Sequence, residues 1–213
     1  MISEGPYNSI RPVVNGLVLA GGKSTRMGHD KSIIKWHGKE QRYHMADILR
    51  PLCHEVYISC RPEQQGEIEA AYKTLPDAYT AAGPYGAILS ALQAQPDTAW
   101  LITACDLPLL DKETLNYLIQ HRDTNCIATT FESPFDGLPE PLVTIWEPRS
   151  LPILLAFLSE GYKCPRKVLI RNSEQVKMIK APNADALLNA NTPEDAQKAK
   201  DIIDRKNDVA HAG

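Results

Sequence analysis

Apolar and polar positions along the chain fall into two alternating kinds of segment. Short apolar or alternating runs at about 16–20, 55–60, 74–77, 99–104, 126–131, 141–146 and 177–181 predict strands. Between them, apolar residues recur at helical spacing. In 41–52 they are Tyr43, Met45, Ile48, Leu49 and Leu52, which predict one helix face. Similar spacing predicts helices at 63–72, 87–95, 111–121, 150–160, 165–171 and 193–204. Residues 32–36, turned by His37-Gly38, read as a further short extended segment. Strands alternating with helices of about ten residues predict a single-domain α/β fold, a mostly parallel sheet with helices on both faces. The turn formers Gly5, Pro6, Asn8, Ser9 and Pro12 mark 1–14 as a loose leader, leaving 15–204 as the domain and 205–213 as a tail.

The most informative stretch is 16–31. The apolar run Leu17 to Ala20 ends at Gly21 and Gly22, and the polar loop that follows carries Lys23, Arg26, Gly28 and Lys31. Glycines let backbone N–H groups approach an anion closely, and the cations neutralise it, so this loop reads as a phosphate-binding device. The competing reading is an ordinary strand-to-loop turn with solvated charges. Two common phosphate motifs are excluded. A Walker loop ending at Gly22-Lys23-Ser24 needs its leading glycine where Leu17 stands, and Gly-x-Gly-x-x-Gly is absent.

In an open parallel sheet, ligands bind beyond the carboxyl ends of the strands. Gly21, Gly22 and Asp106 each sit just past a predicted strand, so they belong to one sheet edge. Asp106, in Ala104-Cys105-Asp106-Leu107-Pro108, is suited to hold Mg²⁺ against a triphosphate, or else to cap a turn. Asp111 precedes a helix start and reads as a cap. In Gly83-Pro84-Tyr85-Gly86 the glycines permit close approach of a flat base, or simply turn a loop into a helix. Thr192 and Pro193 read as an N-cap and first helical residue, a role that does not account for Asn189 and Asn191. Lys163, Arg166 and Lys167 are either a phosphate-binding cluster or a solvated helix start. The six histidines have no ligand spacing and read as surface or packing residues.

Composition narrows the function further. The chain has 213 residues, 43% hydrophobic and 23% charged, enough for one full core. A net charge of -3 gives no general reason to expect nucleic acid or an anionic membrane as partner. No signal peptide or membrane span is expected. Five scattered cysteines without Cys-x-x-Cys suggest reduced thiols and a cytoplasmic protein.

The pattern Leu-Ala-Gly-Gly-x-Ser-x-Arg-Met-Gly-x-Asp-Lys over 19–31 resembles the signature of sugar-nucleotide-type nucleotidyltransferases. Within them it is most similar to the molybdenum cofactor guanylyltransferases, over about residues 15–203. The resemblance implies a Rossmann-like nucleotidyltransferase fold and transfer of GMP from GTP to the phosphate of molybdopterin cofactor, with Mg²⁺ as cofactor and pyrophosphate as product. It also leaves room for other cofactor-biosynthesis proteins as partners. It implies catalytic roles for Arg26, Lys31 and Asp106. Nucleotide contacts are implied for Leu19, Ala20, Gly21, Gly22, Lys31, Asp77, Gly83, Gly86 and Asp106, and metal contacts for Asp106, Asn189 and Asn191. Pro139-Glu140-Pro141-Leu142 resembles the element before a strand that faces the acceptor. The chain departs from the pattern after its second strand, where Ser59 stands in place of the frequent asparagine beside the base. A cytidylyl- or sugar-phosphate-type transferase on the same scaffold is the nearest rival. A related glycosyltransferase usually carries Asp-x-Asp, which Ala104-Cys105-Asp106 lacks. A nucleotide-binding partner protein without catalysis is a third reading.

Overall fold

The computed structural model describes residues 13–20 and 31–211. Among these, seven strands form one sheet: β1 (Val14–Leu19), β2 (Val56–Cys60), β3 (Lys73–Pro76), β4 (Ala99–Ala104), β5 (Ala128–Glu132), β6 (Pro139–Trp146) and β7 (Val176–Lys180). Their order is β3-β2-β1-β4-β6-β5-β7. All neighbouring pairs are parallel except those of β6, which runs antiparallel to β4 and β5. Six strands therefore end at one edge of the sheet, and β6 begins there.

Helices α1 (Gln41–Leu49), α2 (Pro84–Ala94), α3 (Lys112–Gln120), α4 (Leu151–Ser159), α5 (Pro165–Arg171) and α6 (Pro193–His211) follow the sequence reading, except that α1 ends at Leu49 and α2 begins at Pro84, which makes Tyr85 and Gly86 helical. The closing helix continues beyond residue 204, to His211. Alternate strand residues feed two cores. Val18, Ile58, Leu101 and Val143 pack with Met45 and Leu49 of α1 and with Leu115 and Leu118 of α3. Leu17, Trp100, Ile102 and Trp146 pack on the other face with Ile88 and Leu92 of α2, Leu154 of α4 and Leu169 of α5. A strand covered on both faces is mostly apolar, and every residue of β4 is buried, Thr103 being its one polar member. Smaller contacts join α6, through Ala199 and Ile203, to Leu109 and Leu188.

Two expected elements differ. Residues 32–36 are not extended; Lys31–Ile33 form a 3₁₀ turn, and Ile33 is exposed. Residues 63–72 are not an α-helix but a 3₁₀ turn, Pro62–Glu67, followed by bends. Gly66 interrupts that stretch, and Ile68 is its one core residue, too little apolar surface to dock a helix.

Candidate active site

The strand ends collect the candidate residues. β1 delivers Leu19 and Ala20, with Leu19 in register with Ala104 of β4 and Ser59 of β2. The Ala20 N–H donates to the Ser59 carbonyl at 3.1 Å. Ser59 itself is 2% exposed, so the residue substituting for the family's asparagine is sealed into the sheet. Gly21, Gly22 and Arg26 lie outside the described residues. Lys31, where the description resumes, donates from Nζ to Asn191 Oδ1 at 2.6 Å.

Asp106 stands two residues past β4. Its Oδ1 is shut off from solvent and has no hydrogen-bond partner. Burial pushes the carboxyl above the usual carboxylate range, and the charge of Lys31 works against that. The cap reading requires this side chain to accept from the backbone of a following turn, and among the described residues Oδ1 accepts from none. Asp111 does cap: it accepts from the Thr114 N–H at 2.9 Å at the start of α3. The Asp106 carbonyl accepts from the Ala190 N–H at 2.8 Å, so Asn189 and Asn191 flank a residue tied directly to the strand-end loop. Thr192 and Asp195 form a reciprocal pair, Asp195 N–H to Thr192 Oγ1 at 3.1 Å and Thr192 N–H to Asp195 Oδ2 at 3.0 Å. That pair starts α6 and leaves the asparagines outside the cap. Lys31, Asp106 and Asn191 are thus brought together from segments far apart in the chain.

The segment after β3 is held by its own hydrogen bonds. Asp77 is buried, and its Oδ1 accepts from the Tyr79 N–H at 2.7 Å and from Ser90 Oγ at 3.1 Å. A Cβ on Gly86 would lie 2.3 Å from the Tyr79 carbonyl oxygen and 3.0 Å from Asp77 Oδ1. The chain's own turn makes a close approach at Gly86. Gly83 has φ +56° with open space around it, so glycine is needed there for conformation. Gly86→Ala is therefore expected to lower stability by about 1–3 kcal/mol through overpacking. A thermal melt with a parallel GTP titration checks this. A normal melting temperature with lost GTP affinity would restore the base-approach reading.

The far side of the edge comes from the start of β6. Glu140 is 6% exposed. Its Oε2 accepts from Arg166 Nη2 at 3.3 Å, while Arg166 Nη1 pairs with Asp136 Oδ2 at 2.7 Å. Burial raises the Glu140 carboxyl above its ordinary value, Arg166 opposes this, and the charge of Asp106 adds to the rise. Glu140 and Asp106 therefore feel each other across the edge. The basic cluster is divided: Lys167 Nζ sits 4.0 Å over the Tyr162 ring, and Lys163 is exposed. His37 does more than pack. Its Nε2 donates to the Pro108 carbonyl at 2.8 Å, and its ring stacks on His44. Burial, aided by His37, pushes His44 down to about 4. Histidine spacing gave no sign of this, because the partner is a backbone carbonyl 71 residues away.

Oxygen donors here suit a hard divalent ion. Among the described residues no three of His, Cys, Asp and Glu gather as a metal cluster. A single buried, unpartnered carboxylate oxygen remains, a donor set that fits an ion taking its other oxygens from phosphates and water.

Comparison with known proteins agrees with this geometry. The MobA-like NTP transferase domain matches residues 16–176. A molybdenum cofactor biosynthesis bifunctional protein of Synechocystis sp. is 37% identical over 84% of this chain, which spans about half of that protein, 52%. A molybdenum cofactor guanylyltransferase of Pseudomonas putida strain F1 is 30% identical, with 88% of this chain and 97% of that protein covered. The solved molybdopterin-guanine dinucleotide biosynthesis protein A of Archaeoglobus fulgidus shares the fold, with TM-score 0.74 and 22% identity over 90% of this chain and 99% of that one. Domain match, relatives and sheet agree: the chain belongs to the MobA-like NTP transferase family and is a nucleotidyltransferase.

Proposed function

We propose that this protein transfers GMP from GTP to the terminal phosphate of molybdopterin cofactor and releases pyrophosphate. The observation that carries the reading is the unpartnered, buried Asp106 Oδ1 beside Lys31 and Asn191 at the ligand edge of the sheet. The relatives named molybdenum cofactor guanylyltransferase support the choice of base and acceptor.

The chemistry asks little of the side chains beyond charge and position. An oxygen of the acceptor phosphate attacks the α-phosphorus of GTP. The new P–O bond forms as the α–β bridge breaks, and the electron pair leaves with pyrophosphate. The attacking oxygen is already anionic, so no general base is needed. Lys31 and Arg26 neutralise the phosphates, and Lys31 gives up its contact with Asn191 to do so. Asp106, with Asn189 or Asn191, would hold Mg²⁺, which offsets charge on the triphosphate when bound. The Glu140–Arg166 pair borders the acceptor side. Reduced thiols and the fact that no helix among the described residues is long and apolar enough to cross a membrane accord with a cytoplasmic setting.

Two measurements test the base. Pyrophosphate release with the cofactor and each NTP should be fastest with GTP; faster release with CTP would overturn the guanylyl assignment. Mg²⁺ and GTP at a hundred times the dissociation constant should stabilise the protein by roughly 2.7 kcal/mol. That corresponds to a rise in melting temperature of about 5–10 °C in a chain of this size, with smaller rises for other NTPs.

A further inference from the structure

Three consecutive carbonyls after β4 accept hydrogen bonds from three separate places. Asp106 O takes the Ala190 N–H at 2.8 Å, Leu107 O takes Gln41 Nε2 at 3.4 Å, and Pro108 O takes His37 Nε2 at 2.8 Å. The Leu107 side chain is fully buried in the core beneath, and Leu107 O also receives the Leu110 N–H at 3.2 Å. The backbone of this loop is thus held from above and below, whereas the Asp106 side chain has no hydrogen-bond partner at Oδ1. A carboxylate in that condition points where its backbone puts it.

Two of the three clamps, His37 and Gln41, come from the segment that begins at Lys31. The third comes from the residue next to Asn191, which Lys31 contacts. Segment 31–41 therefore carries one candidate phosphate-binding cation and the donors that fix the candidate metal-holding loop.

Gln41 gives the strongest indication. It is 0% exposed at the first turn of α1, and its Oε1 is buried with no hydrogen-bond partner. For the core alone, an aliphatic side chain of that size would avoid desolvating the amide oxygen. What the amide supplies is the N–H to Leu107 O. His37 in turn is exposed, and its ring lies on His44 at 4.0 Å between centroids, which presents Nε2 to Pro108.

We propose that His37 and Gln41 are positioning residues that set the Asp106 carboxylate relative to Lys31. This rests on the reading of Asp106 as the metal-holding carboxylate. Outer partners that orient a metal-holding group typically alter metal affinity 10–100-fold when removed.

The test uses the full chain and Mn²⁺ as probe, titrated in the presence of GTP and followed by electron paramagnetic resonance. Pyrophosphate release against Mg²⁺ and the melting temperature without metal are measured alongside. His37→Phe keeps a ring on His44 and removes the donor; His37→Gln keeps a donor; Gln41→Leu removes donor and unpaired oxygen together. His37→Phe and Gln41→Leu should each weaken Mn²⁺ binding by roughly tenfold or more. His37→Gln should restore it, and Gln41→Leu should melt no lower than wild type. Wild-type Mn²⁺ affinity in either variant removes that residue from the role. Equal weakening in His37→Gln and His37→Phe removes the donor role of His37. If His37→Phe does not fold, Gln41→Leu decides the question. Asp106→Asn separates the two levels: if it binds Mn²⁺ like wild type, the metal-holding reading itself falls.

Discussion

Asp106→Asn should make the protein more stable and nearly inactive. The substitution keeps shape and removes charge from a side chain whose Oδ1 is sealed from water without a partner. Loss of one preorganised charge costs catalysis a factor on the order of a hundred or more. Stability moves the other way. A carboxyl whose folded-state value is raised contributes its stability when protonated. That contribution is complete below the unfolded-state value and is lost as pH rises through the raised folded-state value. Above that raised value the metal-free wild type carries a buried charge that the asparagine lacks. The variant should melt higher, each kcal/mol being worth about 2–4 °C here, and the gap should close as pH falls. Thermal melts across pH, with Mg²⁺-dependent pyrophosphate release at pH 7, measure both effects. Wild-type turnover in Asp106→Asn would sink the metal reading. A lower melting temperature would show that the carboxylate is paired in solution.

Lys31→Ala is expected to leave the fold intact and weaken both GTP binding and turnover, turnover by about a hundredfold. Among the described residues Lys31 contacts exposed Asn191 Oδ1, and an exposed polar contact of this kind contributes at most about 1 kcal/mol. Its charge also acts on Asp106, holding that carboxyl down against burial. The alanine variant thus loses a phosphate-neutralising cation and makes the nearby carboxylate harder to ionise. Calorimetric titration of GTP, paired with steady-state kinetics, distinguishes these effects. A raised Kd with unchanged kcat would mean that Lys31 binds ground and transition states equally. Unchanged affinity and rate would take Lys31 out of the site.

Where local chemistry decides structure, the sequence could be read directly. β4 spans 99–104 as its mostly apolar run indicates, and Asp111 and Thr192 cap the helices their positions indicate. Asp106 drew attention because a carboxylate stands two residues past a buried strand. Long-range contacts were not recognisable. Nothing near Gly86 shows that the Tyr79 carbonyl fills the space beside it, since the turn at 77–79 folds back through Asp77 and Ser90. Nor does anything near Ile33 and Ile34 show that this stretch lacks a strand to pair with. Two adjacent β-branched residues look like strand, and only the sheet order reveals that β1 already has β2 and β4 as neighbours. His37 escaped notice for the same reason.

The reversed direction of β6 has a consequence for how substrate range can change on this scaffold. Parallel neighbours are joined by crossovers, and altering such a loop risks shifting a helix and the next strand with it. The 133–138 turn between β5 and β6 joins antiparallel neighbours and opens on the same rim as Asp106. Its length is independent of any crossover, and lengthening a surface turn adds closure cost only logarithmically. The rim beside Glu140 can therefore be reshaped by insertion while the register of β1 with β4 stays fixed. On the proposed reading, changes at the acceptor side would then fall on a hairpin and leave the crossover half of the sheet untouched.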